Sequence, residues 1–308
     1  MLKMKKKTVT LFGGSGFLAK YIVSKLIKEG HKVNAICRNP HLNTELRLLG
    51  PIESLDIFKG NILQQSSIER YFEGADVVIN LVGILFETRA QNFFEAHAQG
   101  IKNIAELSKK YDIQQLIHFS SIGSNIKSEA KYQKTKGEGE NCLKSTFPKA
   151  NILRPSIVFG PKGFLPIQSN ILKNLPFAAT FSDNKFQPID VRDIASVVSK
   201  IINDENMQGE IYELGGPDIL NLREIYPLIL QALNIKRIII PMPINFAKLI
   251  AIASKPLPTP IITFDQIKML NQDNVVKKNF KNTIQSLGIT PISAAESINY
   301  HLGKISKR

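Results

Sequence analysis

The sequence predicts an α/β fold, a doubly wound parallel sheet with a smaller C-terminal lobe. Short β-type runs alternate with longer helical patterns: "TVTLF", "GFLAKYIVSKLIKEG", "HKVNAIC", "ADVVINLVG", "FFEAHAQGIKNIAELSKKYD", "QQLIHFSS" and "ANILRP". Strands that alternate with helices imply a parallel sheet covered on both faces. A glycine-rich turn stands between the first strand and the first helix. The chain's 308 residues, 43% of them hydrophobic and 21% charged, suffice for one large domain with an appended lobe and fit a globular protein. The expected division is a nucleotide-type domain over residues 1–161, completed by 186–216, and a lobe built from 162–185 and 217–308.

The leader "MLKMKKK" places lysines before an apolar run, as a signal peptide does. That run ends at Gly13–Gly14 after a few residues, short of the ~7–15 apolar residues of a secretory segment, so it reads as the first strand. No window offers the ~20 apolar residues of a membrane span. In "FGGSGFLAK", Gly13, Gly16 and Ala19 give a tight turn, a bare backbone for pyrophosphate to approach, and a small residue where helix meets strand. Strand, turn and helix in this order open a Rossmann dinucleotide fold.

Cofactor choice is set at the end of the second strand, where an acid usually meets the ribose 2′-hydroxyl of NAD. "NAICRNP" offers Arg38 instead. Its planar fork suits a 2′-phosphate, so NADP(H) is expected over NAD(H), with a surface arginine before a turn as the ordinary alternative. In "KGNIL", Asn61 and Ile62 are placed to bracket an adenine, and Leu81, Val82 and Gly83 end the fourth strand close to the cofactor.

"SSIGSNIKSEAKYQKTKGEGE" follows the fifth strand. Helical spacing puts Tyr132 and Lys136 on one face. A phenol with a pKa near ~10 is a poor acid–base group at neutral pH, and a neighbouring ammonium lowers it. The same lysine can bond a nicotinamide ribose.

At this point the chain resembles the extended and atypical short-chain dehydrogenase/reductase family, over nearly its whole length. "NILRPSIVFGP", "FQPIDVRDIA" and "GEIYELGGPDILNLREI" look like that family's later landmarks, and Asn221 with Glu224 offers a helix cap. "VTLFGGSGFLAKYIV", "HFSSIGSNIKSEAKYQKTKGEGE" and a tail with "FDQIKMLNQDNVV" and "LGITPISAAESI" look closer still to the nucleotide-binding accessory subunits of respiratory complex I (NADH:ubiquinone oxidoreductase) and their bacterial relatives. The resemblance implies a tightly held NADPH and a stabilising or assembly role, with a related branch linked to ubiquinone biosynthesis. Its expected cofactor contacts include Ser15, Phe17 and Leu18 after the turn, Ser120, Tyr132 and Lys136, and Pro155 and Ile157. Catalytic members place a Ser or Thr just past the fifth strand, where this chain has Ser120, Ser121 and then Ile122, with Ile122 a candidate for that position. The segment therefore reads as holding a cofactor more readily than turning one over. The alternative is an NADP-dependent oxidoreductase or epimerase acting on a small hydroxy or quinone-related compound, with Tyr132 as acid–base, Lys136 as its tuner and Ser121 as carbonyl donor. A redox sensor reporting NADPH to a partner is a third reading.

The net charge is +14. Residues 221–308 hold 12 Lys and Arg against 4 Asp and Glu, a net of +8, and Lys3, Lys5, Lys6 and Lys7 add to it. Basic ends suit an anionic membrane surface or an acidic partner; a chain rich in Lys, Asn and Ile throughout is the bland source. No nucleic-acid-binding pattern accompanies the charge. Cys37 and Cys142 stand alone and the five histidines are scattered, so no disulfide and no metal is expected. The most apolar stretch, "IIIPMPINFAKLIAIASKPLPTPIITF" at 238–264, is broken by Lys248, Lys255 and five prolines, which excludes a plain spanning helix. A short amphipathic helix over 244–253 would lie in a membrane interface, pack on a partner, or pack on its own domain. The expected location is cytoplasmic, peripheral on the inner face of the cytoplasmic membrane, with subunits of the respiratory complex as partners.

Overall fold

The computed structural model describes residues 5–42, 44–257 and 260–303; Lys3 of the leader and Lys304, Lys307 and Arg308 of the tail lie outside the described residues. Seven strands, β1 (Thr8–Phe12), β2 (Lys32–Cys37), β3 (Leu55–Lys59), β4 (Val77–Asn80), β5 (Gln115–Phe119), β6 (Asn151–Pro155) and β7 (Ile211–Leu214), form one parallel sheet ordered β7-β6-β5-β4-β1-β2-β3. β4 and β5 are buried at every position, as strands must be when helices cover both faces.

On one face α1 (Phe17–Lys28) and a helix at Val191–Asn203 enclose Ile22, Leu26, Val197 and Ile201 against β1 and β4. The other face buries Phe12, Phe72, Ile104 and Leu116 beneath α2 (Gly100–Lys110) and α3 (Lys131–Thr146). The residues of α2 that face the sheet, Ile101, Ile104, Ala105 and Ser108, recur every three or four positions. A π-helical turn, Glu95–Gln99, runs straight into α2.

The C-terminal part has its own apolar cluster, with Leu165 and Leu172 of Phe164–Asn174, Ile225 and Ile229 of Leu222–Leu233, and Ile298 and Leu302 of Ala294–Gly303. The helix at Leu222–Leu233 starts with the capping box read from the sequence: Asn221 and Glu224 bond each other's backbone N–H. The apolar stretch resolves into a strand, Ile238–Pro241, paired with Phe177–Thr180, and α4 (Ile244–Ser254). Ala247, Ala251 and Ser254 are buried against α5 (Phe264–Met269), while Phe246, Leu249 and Ile252 stay exposed. One side of the helix therefore packs on its own domain, and the other is exposed. Among the described residues no helix is long and apolar enough to cross a membrane.

β1 and β4 are neighbours, with Phe12 opposite Asn80, and the sheet order reverses between them. In a doubly wound sheet the crevice outside the carboxyl ends of such a strand pair receives the ligand.

Candidate functional site

The crevice begins at the β1–α1 turn. Gly13 has φ +88°, and a Cβ there would lie 3.2 Å from the Leu81 carbonyl carbon and the Val82 nitrogen. Only glycine lets the end of β1 approach the end of β4 in that conformation. The Gly13 and Gly14 N–H groups donate to the Ile36 carbonyl at 3.1 and 3.0 Å, which fixes the turn to β2. α1 follows with Gly16 as its N-cap, no side-chain cap and no acid in its first turn. A helix start of this kind suits an anion.

From there a cleft is lined by Gly13, Ser15, Gly16, Arg38, Asn61, Ile62, Leu81, Val82 and Gly83, joining the predicted turn, adenine and fourth-strand residues. Asn61 shapes its floor: its side chain accepts from the Leu63 N–H at 3.1 Å and its own N–H donates to Ser67 Oγ at 3.0 Å. Arg38 reaches across the cleft to Gln91, whose amide oxygen, turned toward it, accepts from Nη2 at 3.0 Å. A second hollow adjoins the cleft and is lined by Arg38, Lys59, Arg70, Gln64, Ser66, Ser67 and Asn61. Three cations and no carboxylate border it. The glycine turn, the uncapped helix start and this basic hollow fit a phosphorylated dinucleotide.

Seven of the predicted cofactor residues are not in that lining: Phe17, Leu18, Pro155 and Ile157, and Ser120, Tyr132 and Lys136 at the next strand and helix. The Phe17 ring rests against Gly160 and Gly163, and Leu18 packs on the core beneath α1. The Pro155 carbonyl accepts from the Ile122 N–H at 3.1 Å, and the Ile157 N–H donates to Asn274 Oδ1 at 3.1 Å.

Tyr132 and Lys136 lie at the start of α3. The Lys136 ammonium lies against Gly83 and donates to the Phe119 carbonyl at 2.9 Å. Burial lowers its pKa to about 8, partly offset by Glu140. Burial raises the Tyr132 phenol, and a hydrogen bond with Ser121 draws it back. Burial and Ser121, rather than Lys136, are what shift the phenol: the ammonium stands 6.0 Å from the Tyr132 ring centroid, engaged with a carbonyl. Ser121, rather than the buried Ile122, is the neighbour that lowers the phenol, and its Oγ lies 3.0 Å from Ser124 Oγ. Ser120 is turned to Glu140 and Ser124 at 2.5 and 2.9 Å, and Glu140 is held by Arg154. The turn after β5 lies on Gly137 of α3, where a Cβ would come within 2.7 Å of the Ile126 nitrogen and 2.8 Å of the Asn125 carbonyl carbon.

His97, read from the sequence as one of several scattered histidines, stands in this site. The π-helical turn directs it at α3. Its Nε2 accepts from the Ile84 N–H at 3.1 Å, which leaves the ring proton on Nδ1 for Thr135 Oγ1, also at 3.1 Å. Burial and the Lys136 charge lower its pKa to about 2, so it is neutral. The Tyr132 ring stands edge-on to His97 and Phe93, with centroids 5.2 and 5.8 Å apart.

Residues 263–276 form a strap over the far side. Asp265 accepts from the Lys131 and Tyr132 N–H groups at 2.6 and 2.9 Å, and Lys268 Nζ donates to the Glu129 carbonyl at 3.2 Å. Asn274 Oδ1 accepts from Ser156 Oγ at 2.7 Å, and its Nδ2 donates to the Ile122 carbonyl at 3.5 Å. Nothing local in "FDQIKMLNQDN" announces these contacts. Among the described residues no group of His, Cys, Asp and Glu could hold a metal ion.

A profile of the NAD dependent epimerase/dehydratase family matches residues 9–215. The mitochondrial NADH-ubiquinone oxidoreductase 40 kDa subunit of Neurospora crassa is 30% identical over 295 residues, 96% of this chain and 78% of that protein. Subunit 9 of the NADH dehydrogenase [ubiquinone] 1 alpha subcomplex of Arabidopsis thaliana is 30% identical over 297 residues, 92% of this chain and 74% of that protein. Among solved structures, a nucleoside-diphosphate-sugar epimerase from Staphylococcus aureus superposes with a TM-score of 0.74 at 17% identity, over 95% of this chain and 99% of that one. A Thermotoga maritima UDP-glucose 4-epimerase reaches 0.70 at 17%, over 97% and 99%; at such identity the likeness shows the fold alone. The chain belongs to the NAD dependent epimerase/dehydratase family, as an extended short-chain dehydrogenase/reductase that resembles the accessory subunits of respiratory complex I.

Proposed function

We propose that this protein holds NADP(H) as a structural cofactor, with little or no turnover, as an accessory subunit of a respiratory NADH:ubiquinone oxidoreductase. The observation that carries the reading is the strap. Asp265 and Asn274 bond the backbone at Tyr132 and Ile122, which ties the strap to the helix start and the turn that carry the phenol, while the nucleotide cleft is lined by the predicted turn, adenine and fourth-strand residues. The similarity to complex I subunits along most of the chain supports the assignment to that complex.

In this reading the β1–α1 turn receives the pyrophosphate, and Lys136 holds the nicotinamide ribose. Arg38, Lys59 and Arg70 neutralise a 2′-phosphate in the basic hollow, which favours NADP(H) over NAD(H). The smaller lobe is the docking part. The exposed Phe246, Leu249 and Ile252 of α4, beside Lys248 and Lys255, suit partner subunits at the inner face of the cytoplasmic membrane.

The test is to purify the protein without added nucleotide, denature it, identify what is released, and time the replacement of bound NADPH by labelled NADPH. Stoichiometric NADPH exchanging over hours supports the reading. Empty protein, or exchange in seconds, overturns it.

A second reading rests on Ser121 acting on the Tyr132 phenol, which it draws back down against burial, with Lys136 over the ring at 6.0 Å. NADP(H) bound there would supply a hydride donor or acceptor to a small hydroxy or quinone-related compound. Ser121 would orient a carbonyl and Tyr132 would exchange its proton. Tyr132→Phe should then abolish turnover while nucleotide stays bound, and unchanged turnover would remove this reading.

A further inference from the structure

The helix that carries Tyr132 and Lys136 lacks a cap of its own. α3 begins at Lys131, and its N-cap residue is Ala130, with no side-chain acceptor. The first amides of a helix have no partner within it. Here the Lys131 and Tyr132 N–H groups both donate to one carboxylate, at 2.6 and 2.9 Å, from a residue more than 130 positions along the chain. Asp265 is available because α5 is capped independently: Thr263 Oγ1 accepts from the Gln266 N–H at 3.1 Å, and the Gln266 side chain accepts from the Thr263 N–H at 2.9 Å. Lys268, one turn further on, bonds the Glu129 carbonyl and tethers the residue before the cap.

We propose that Asp265 is a positioning residue for the nucleotide site: by capping α3 from the C-terminal lobe it sets Tyr132 and Lys136 against the cofactor cleft, so nucleotide retention depends on that lobe being seated. The proposal rests on the reading that the cleft retains a nicotinamide dinucleotide. Tyr132 is the second residue of α3, so its ring, edge-on to His97 and Phe93, moves when the first turn frays. Lys136 lies one turn deeper, with Nζ between the Phe119 carbonyl and Gly83, and any shift of α3 along its axis moves it from the ribose position. The lobe is also the part with exposed apolar side chains on α4, and α4 packs directly on α5. A partner that grips α4 therefore presses on the element that caps the nucleotide helix.

The experiment uses the full chain loaded with NADPH, whose fluorescence reports release after mixing with excess NADP+. Asp265→Ala should release NADPH roughly tenfold faster or more, the size of a lost charged cap. Asp265→Asn, which keeps one acceptor and the same shape, should fall between. Adding Ala130→Ser to Asp265→Ala supplies a local cap and should bring release back toward the parent rate. Hydrogen exchange of the amides at 131 and 132 in nucleotide-free protein should quicken in Asp265→Ala, and that at 132, the amide within reach of a serine cap, should slow again in the double variant. Release and exchange at the parent rate in Asp265→Ala would overturn the proposal, as would a double variant whose exchange recovers while release stays fast. A parent protein that takes up no NADPH would instead sink the cofactor reading, and exchange at 131 and 132 would still decide the cap.

Discussion

Gly137→Ala sets two physical effects against each other. Gly137 lies inside α3, where replacing glycine by alanine favours the helix by about 1 kcal/mol. The added Cβ would stand 2.7 Å from the Ile126 nitrogen, 2.8 Å from the Asn125 carbonyl carbon and 3.0 Å from the Asn125 nitrogen. Ordinary contact begins at 3.4 Å, so the turn must recede by about 3.4 − 2.7 = 0.7 Å. All three are backbone atoms, in a turn pinned to α3 by the Asn125 N–H on the Gln133 carbonyl and Ser128 on the Gln133 side chain. The turn cannot yield by changing a rotamer, so the cost falls near the upper end of the roughly 1–3 kcal/mol of overpacking. The net loss is then about 2 kcal/mol, a fall in Tm of roughly 3 °C for a chain of this size. The same movement draws Ser121 from Tyr132. Scanning calorimetry at several scan rates measures the shift, with Gly303→Ala as comparator, where the added Cβ meets nothing within 4 Å and no loss is expected. A Tm at or above that of the parent would refute the reasoning, because helix propensity would then outweigh the close approach.

Arg38→Gln should weaken NADPH roughly tenfold or more and leave NADH within about twofold, since a charged hydrogen bond to a 2′-phosphate is worth about 1.5–3 kcal/mol; titration with both nucleotides measures it. Burial raises the Asp193 pKa to about 6, above its unfolded value of about 4. Its favourable contribution is therefore full below pH 4 and is lost as the pH rises through 6, so Asp193→Asn should raise Tm at pH 7.5 and lose that advantage by pH 4. Replacing Phe246, Leu249 and Ile252 together by Asn should abolish membrane or complex co-fractionation while bound nucleotide stays at the parent level, measured on fractionated lysate.

The strands and the nucleotide turn were legible because their causes are local. A fully covered parallel strand is a short apolar run, and a strand followed at once by Gly13 and Gly16 has few other uses. Tyr132 and Lys136 were legible by helical spacing, and the cap at Asn221 by a pattern four residues long. His97, Asp265 and Asn274 were not. Each acts across the fold: His97 on Thr135 from 38 positions away and Asp265 on Tyr132 from 133. The direction in which Lys136 points was hidden for a related reason. Spacing places two side chains on one face, but the Phe119 carbonyl, at the end of β5, decides where the ammonium points.

The distance in sequence between Tyr132 and Asp265 also orders events on the ribosome. The capping carboxylate is 133 residues downstream of the amide it serves, which at about 5–20 residues per second is roughly 7–27 s of synthesis. During that interval every strand of the sheet through β7 has been made, while α3 still begins with uncapped amides. The nucleotide-binding half of a nascent chain is thus assembled well before its binding site is finished, and a ribosome that stalls short of residue 265 leaves a sheet whose nucleotide helix still lacks its cap.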